Sequence, residues 1–248
     1  MQDLVFGWRT AILAVAVVQL LAIAAGLTRS LANRTANRTL AALLVVLAGI
    51  VTPWMIGFAG FYDRWPWLSF APFSITLAVA PLLWLYAQSL VNGGWPARGR
   101  LHLAPAALQF AFLAASFALP MPLKERWADL SAPVTAPAFA LATVAGLALY
   151  GLAGLRLLAL YRRRLAAERS DDWRFAARWL SRATGALMVL LPIWATYAIW
   201  DAVAPLGYWK LMGLHVAIAA FGLYLGIEGW RHADLPFPHF GRAEPEPA

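Results

Sequence analysis

The sequence predicts an all-α, polytopic membrane protein with seven transmembrane helices, its N-terminus outside and its C-terminus in the cytoplasm. Hydrophobic residues make up 62% of the 248 residues and charged residues 13%, about half the charged share of a typical globular domain. Seven apolar stretches follow one another with short connections, and each approaches the roughly 20 residues that a helix needs to cross a bilayer. They do not alternate apolar with polar residues, which disfavours the strands of a membrane β-barrel.

These stretches form one predicted membrane domain, residues 1-230. In chain order the predicted spans are Thr10–Thr28, Thr39–Phe58, Phe70–Val91, His102–Pro120, Val134–Leu155, Thr184–Val203 and Trp209–Gly229. A tail or linker, residues 231-248, follows them and contains Pro236, Pro238, Pro245 and Pro247. This composition is typical of an extended, poorly ordered segment.

The distribution of Lys and Arg between the loops predicts the orientation. Three alternate loops and the tail after Gly229 carry fifteen of the twenty Lys and Arg residues, and the opposite side carries five. Cytoplasmic loops are the ones enriched in these residues, so the tail is expected in the cytoplasm. The lipid bilayer is therefore the first predicted partner, since anionic cytoplasmic lipid accounts for the net charge of +8 without nucleic acid.

The longest cytoplasmic connection, Arg156–Arg182, holds the candidate output or docking surface. The fifth helix is expected to continue through Arg164, and Ser170 has the character of an N-cap for a new helix. In that helix Arg174, Arg178 and Arg182 recur every four residues and form one basic stripe. Such a stripe fits lipid phosphates at the membrane surface or a cytoplasmic protein partner, and both alternatives remain open.

Two tryptophans lie deeper in their spans than the aromatic belts expected at both interfaces. These are Trp84 and Trp194, and Tyr86 and Tyr197 lie close to them along the chain. His215 is the one histidine in the interior of a predicted span. We predict from these five residues a small, largely apolar ligand pocket with a few polar groups.

The ionisable residues do not form a catalytic or cofactor-binding pattern, so no enzyme, cofactor or metal is predicted. His102 and His215 lie at opposite leaflets and cannot ligate one haem, and Lys210 is too close to its span end to hold retinal. Glu228 and Arg231 are three residues apart and are expected to form a local ion pair. They are also candidates for signal output, because they lie where the last helix ends.

Several short motifs resemble those of a known membrane region. These are Ala36-Asn37-Arg38-Thr39-Leu40, Pro81-Leu82-Leu83-Trp84-Leu85-Tyr86, Leu101-His102-Leu103-Ala104-Pro105-Ala106, the stretch Ser170–Ser181 and Gly229-Trp230-Arg231. Their order is similar to that in the seven-helix region at the N-terminus of some bacterial AraC-type helix-turn-helix transcriptional regulators. The motifs contain packing and turn residues, and the resemblance extends over nearly the whole chain.

The resemblance implies a sensory module in the bacterial inner membrane. It would pass a small-molecule or protein signal from the membrane or periplasm to a cytoplasmic DNA-binding domain. No helix-turn-helix domain is present in these 248 residues, so DNA would be a partner only through a domain that this chain does not contain. A homodimer is expected of a regulator that binds paired DNA half-sites.

Two other functions remain open on the sequence. The chain could be an accessory or scaffold subunit of a membrane protein complex, since that role also needs no catalytic residues. It could also be a transporter or enzyme for a lipophilic substrate, which would need His215, Asp201 or Glu228 for its activity.

Overall fold

The computed structural model describes residues 4–168, 177–204, 208–235 and 237–238, and these fold into helices without a strand. The α-helices are α1 Trp8–Leu27, α2 Arg34–Phe58, α3 Phe61–Arg64, α4 Val79–Asn92, α5 Ala104–Phe117, α6 Met121–Glu168, α7 Arg178–Val203 and α8 Met212–Arg231. Short 3-10 segments are Pro66–Leu68, Thr76–Ala78, Gly99–Leu103 and Tyr208–Leu211.

Five of these helices, α1, α2, α6, α7 and α8, are long and apolar enough to cross a membrane. This agrees with a membrane protein made of helices. A helix also lies within each of the two remaining predicted spans, but α4 and α5 have only 14 residues each. Their 3-10 extensions lengthen them at the N-terminal end.

Helix α6 is much longer than the predicted fifth span, Val134–Leu155. It has 48 residues and a length of about 72 Å at roughly 1.5 Å per residue. At its N-terminal end the helix begins at Met121, before the predicted span and within a polar stretch. Lys124 of that stretch is buried, and its Nζ donates a hydrogen bond to the Trp67 carbonyl at 3.0 Å. The expected continuation of the helix through Arg164 is confirmed.

The third predicted span becomes helical only at Thr76, and the preceding backbone packs directly on α2. A Cβ at Gly49 would collide with the Phe73 carbonyl oxygen, so glycine permits this close approach. The buried Gln109 of α5 provides a hydrogen-bond acceptor for a backbone amide at the start of this helix. Its Oε1 accepts a hydrogen bond from the Leu77 amide at 3.0 Å. Gln109 Nε2 also donates to the Thr76 hydroxyl at 3.3 Å.

Helices α1, α2 and α8 pack closely on one another. Three glycines of α8, at positions 222, 226 and 229, face the leucines of its neighbours. A Cβ at Gly226 would lie 3.2 Å from Leu44 Cδ1 of α2 and 3.3 Å from Ile23 Cγ2 of α1. Small residues at such spacing let helix backbones approach closely within a membrane, and they fix α8 against α1 and α2.

Candidate functional site

The chain that leaves α8 packs against the bundle and forms what we call the exit segment, His232–Leu235 with Phe237 and Pro238. Ala233 is 6% exposed and Phe237 is 5% exposed. The sequence predicted a poorly ordered tail from this point, and the described part of the tail differs from that prediction. The reason is specific anchoring, which composition alone does not reveal.

Two asparagines hold the exit segment by its backbone. Asn33 Nδ2 donates to the carbonyl oxygens of Ala233 at 3.2 Å and Leu235 at 2.7 Å. Asn37 Nδ2 donates to the same Ala233 carbonyl at 3.1 Å. These carbonyls follow the last turn of α8, where no further helical amide is available to them, so the asparagines satisfy acceptors that would otherwise lack partners.

Both asparagines belong to a tandem sequence repeat, Ala32-Asn33-Arg34-Thr35 and Ala36-Asn37-Arg38-Thr39. Asn33 is the N-cap position of α2 and has a φ of 46°, a left-handed conformation that asparagine tolerates better than most residues. Asn37 lies one turn later at 1% exposure. The four-residue repeat therefore places two identical amides on one side of the helix start, facing the exit segment.

The turn before α2 completes this contact, which we call the Asn clamp: Ser30, Asn33 and Asn37 against the exit segment. The Ser30 hydroxyl donates to Asp234 Oδ1 at 2.7 Å. Asn37 Nδ2 also donates to Ser30 Oγ at 3.0 Å and to the Ala32 carbonyl at 2.8 Å. One amide group thus ties the first loop, the start of α2 and the exit segment together.

Aromatic rings cover the opposite side of the exit segment. The His232 ring stacks on Trp179 of α7, with ring centroids 5.2 Å apart and an interplanar angle of 18°. Trp179 also contacts Tyr86 of α4 at 6.1 Å, and the Tyr161 hydroxyl of α6 donates to the Pro238 carbonyl at 3.4 Å. The exit segment therefore contacts α2, α6 and α7 and can respond to a shift in any of them.

Helix α8 is itself held close to the Asn clamp. A Cβ at Gly229 would collide with the buried Leu40 side chain, and a Cβ at Gly26 would collide with the Trp230 ring. A cavity of about 310 Å³ lies beside this contact and is lined by residues that include Arg29, Trp230 and Asp234. A movement of α8 at its C-terminal end would disturb these close contacts.

The five residues of the predicted ligand pocket fall into different clusters. Trp84 lies against His102 and Tyr150, with ring centroids at 4.7 and 5.9 Å. His102 Nδ1 and the Tyr150 hydroxyl are 2.9 Å apart. Tyr86, two residues along α4, is 1% exposed and contacts Trp179 beside the exit segment. Tyr86 therefore belongs to the aromatic cluster that contacts the exit segment.

The remaining three predicted pocket residues lie on α7 and α8. Trp194 is buried, and the Tyr197 hydroxyl would lie 3.0 Å from a Cβ at Gly213. The buried His215 ring lies against Trp54 at 4.2 Å, and its Nδ1 is 2.9 Å from the Leu211 carbonyl. The shared ligand pocket stays a prediction.

The basic stripe and the terminal ion pair lie at the same end of the bundle as the exit segment. Arg178 and Arg182 are exposed at the start of α7, whereas Arg174 and the proposed cap at Ser170 lie outside the described residues. Glu228 Oε1 and Arg231 Nη1 are 2.9 Å apart, as the spacing predicted. This pair is solvated, since Arg231 is 69% exposed.

Sequence reasoning did not identify the Asn clamp or the glycines of α8. The signals were present in the tandem repeat and in the spacing of Gly222, Gly226 and Gly229. Four residues of repeat do not specify the distant backbone that the asparagines contact, so the contact does not follow from the repeat alone.

No family model, no curated protein and no solved structure matches this chain. The contacts of the exit segment with the bundle are therefore the main guide to function.

Proposed function

We propose that this protein is a membrane-embedded sensory module whose output passes through α8 and the exit segment. The Asn clamp is the observation that carries the proposal. A simple membrane anchor needs no fixed path for the chain after its last helix. Here Asn33, Asn37 and Ser30 hold that chain by three residues in succession, Ala233, Asp234 and Leu235.

The proposal includes seven crossings of a bacterial inner membrane with the N-terminus outside. The third crossing, Thr76–Asn92, spans about 27 Å, given rises of roughly 1.5 Å per α-helical and 2.0 Å per 3-10 residue. The fourth, Gly99–Phe117, spans about 31 Å on the same basis. Both lengths approach the hydrocarbon thickness of roughly 30 Å, and the fifteen-to-five Lys and Arg distribution supports the orientation.

The expected mechanism is a displacement of α8 relative to α1 and α2. His215 lies on α8 near its predicted outer end and contacts Trp54 of α2, so a signal that separates these rings would act on α8 directly. The glycine contacts of α8 would carry the displacement along the helix, and the Asn clamp would convert it into a new path for the exit segment. A cytoplasmic DNA-binding domain of the AraC type, which these residues do not include, would receive it.

The test compares transcript profiles of the native host after deletion of the gene and its restoration. We expect wild-type protein to restore the profile and the double variant N33A/N37A to fail, at equal amounts of membrane-inserted protein. The matched control is N92A, because Asn92 is exposed and, within the part of the chain that the structure describes, its amide bonds to Gln88 of α4.

A clamp variant that restores the profile fully would refute this output route. A deletion that leaves all transcripts unchanged would refute the regulatory role itself. In that case a stoichiometric membrane partner recovered with the protein would favour the accessory-subunit function, and loss of transport or turnover in H215A would favour a transporter or enzyme.

A further inference from the structure

A basic cavity lies away from the Asn clamp, between the start of α2 and the turn before α5. It has a volume of about 580 Å³, and its lining includes Thr35 of α2 and Trp95, Arg98 and Arg100 of the turn. Both arginines are exposed. Among the described residues no acidic side chain lines the cavity, so its charge is positive and is not neutralised from within.

The turn that presents these arginines is rigid. Trp95 Nε1 donates to the buried Thr39 hydroxyl of α2 at 2.8 Å. The Gly99 amide donates to the Pro96 carbonyl at 2.8 Å, and the Leu101 amide to the Arg98 carbonyl at 3.0 Å. A Cβ at Gly99 would lie 3.1 Å from Trp95 Cβ, so the turn is closely packed around the residues that carry the two arginines.

An apolar stripe continues from the cavity along α5. Leu101 lines the cavity and is 65% exposed, and Leu108, which lies on the same face two turns later, is 72% exposed. Ala104 and Ala111 on that face are also exposed. A site for a soluble anion needs no such stripe, whereas a phospholipid needs both a headgroup contact and a surface for its acyl chains.

We propose that this cavity binds the headgroup of an anionic phospholipid, with the phosphate between Arg98 and Arg100 and an acyl chain along Leu101 and Leu108. Guanidinium groups bind phosphate oxygens in bidentate fashion, and basic pockets at the ends of membrane helices select anionic headgroups. Tryptophan at the interface, here Trp95, fixes the depth of the turn. The site requires only the membrane placement of α5 proposed above and is independent of signalling.

The test measures phosphatidylglycerol binding to the purified full chain in phosphatidylcholine nanodiscs, by native mass spectrometry. We expect R98Q/R100Q to weaken binding by about tenfold or more. R98K/R100K keeps the charge but loses the bidentate geometry and is expected to lose about threefold. The matched control is R163Q/R164Q, which removes the same charge from two exposed arginines of α6 on the same predicted side of the membrane.

Equal losses in R98Q/R100Q and R163Q/R164Q would overturn the proposal in favour of unspecific surface charge. Unchanged binding in R98Q/R100Q would also overturn it. Soluble glycerol 3-phosphate is expected not to compete at concentrations similar to the lipid, and competition at those concentrations would identify a site for a free phosphate ester. If the double variant cannot be incorporated into nanodiscs, the single variants R98Q and R100Q are measured instead. Each is expected to weaken phosphatidylglycerol binding by about threefold.

Discussion

Helices α1, α2 and α8 differ from α6 and α7 in how much of their apolar surface the protein itself covers. In the most apolar part of α8 50% of the residues are buried, with 44% for α2 and 39% for α1, but only 22% for α6 and for α7. Helix α8 is covered on one side by α1 and α2, which it approaches closely through its glycines. Helices α6 and α7 also meet closely at one point, where a Cβ at Gly151 would collide with Met188, but large side chains such as Leu149 and Leu160 of α6 are exposed.

The comparison shows where a change in the bundle can be transmitted. This closely packed unit has few alternative arrangements, so a displacement of α8 against α1 and α2 is transmitted along the helix, because packed interiors transmit strain. The Asn clamp joins the exit segment to this unit through α2. Helix α6 contacts the exit segment through Tyr161 and α7 contacts it through Trp179, whereas large apolar side chains of both helices are exposed elsewhere along their length.

The largest expected effect is from a cavity in the closely packed unit. Leu44 of α2 is fully buried and contacts the glycine face of α8. We expect L44A to lower the free energy of unfolding by about 2–3 kcal/mol, since lost packing contacts are not replaced. L149A in α6 is the matched control, with an expected effect below about 0.5 kcal/mol because Leu149 is 69% exposed. Thermal unfolding in detergent measures both, and equal effects would contradict the comparison.

A smaller loss is expected from a methyl group added to the glycine face. G229A forces the added Cβ against Leu40, which is fully buried, and overpacking of this kind costs about 1–3 kcal/mol. At Gly185 in α7 nothing lies within 4 Å of an added Cβ. G185A is therefore expected to be neutral or stabilising by up to about 1 kcal/mol through helix propensity. The same unfolding assay distinguishes them, and destabilisation by G185A would show that α7 is packed as closely as α8.

Loss of one clamp amide is expected to act locally. N37A removes one of the two donors to the Ala233 carbonyl and the donor to the Ala32 carbonyl, and it should cost about 0.5–1.5 kcal/mol, the usual net contribution of a hydrogen bond. Hydrogen exchange should become faster at the amides of His232, Ala233 and Leu235, with little change in α6. N92A is the control, and faster exchange spread evenly over the bundle would indicate general destabilisation instead of a local clamp.

The smallest effect is expected at the terminal ion pair. Arg231 is 69% exposed in its contact with Glu228, and exposed pairs of this spacing contribute about 0.5 kcal/mol or less. R231Q should leave the unfolding temperature and the exchange of the exit segment unchanged. A marked effect of R231Q on exchange would mean that this pair, and not the Asn clamp, holds the end of α8.

The sequence was sufficient to predict a helical membrane protein, because the length of each apolar run can be compared directly with the thickness of a bilayer. It also predicted the Glu228–Arg231 pair, which depends only on short spacing along a helix. It was not sufficient to predict the start of α6 or the Asn clamp. The clamp joins Asn33 to Leu235 across 202 residues, and no local pattern encodes that contact.

The most direct test of the Asn clamp is a cross-link in native membranes. The chain contains no cysteine, so S30C/D234C introduces one pair of thiols, where the Ser30 hydroxyl and Asp234 Oδ1 now lie 2.7 Å apart. We expect a short bifunctional thiol reagent to bridge this pair rapidly, and the added change N33A/N37A to slow the bridging. Absence of bridging, or bridging at the same rate with and without the asparagines, would contradict the clamp.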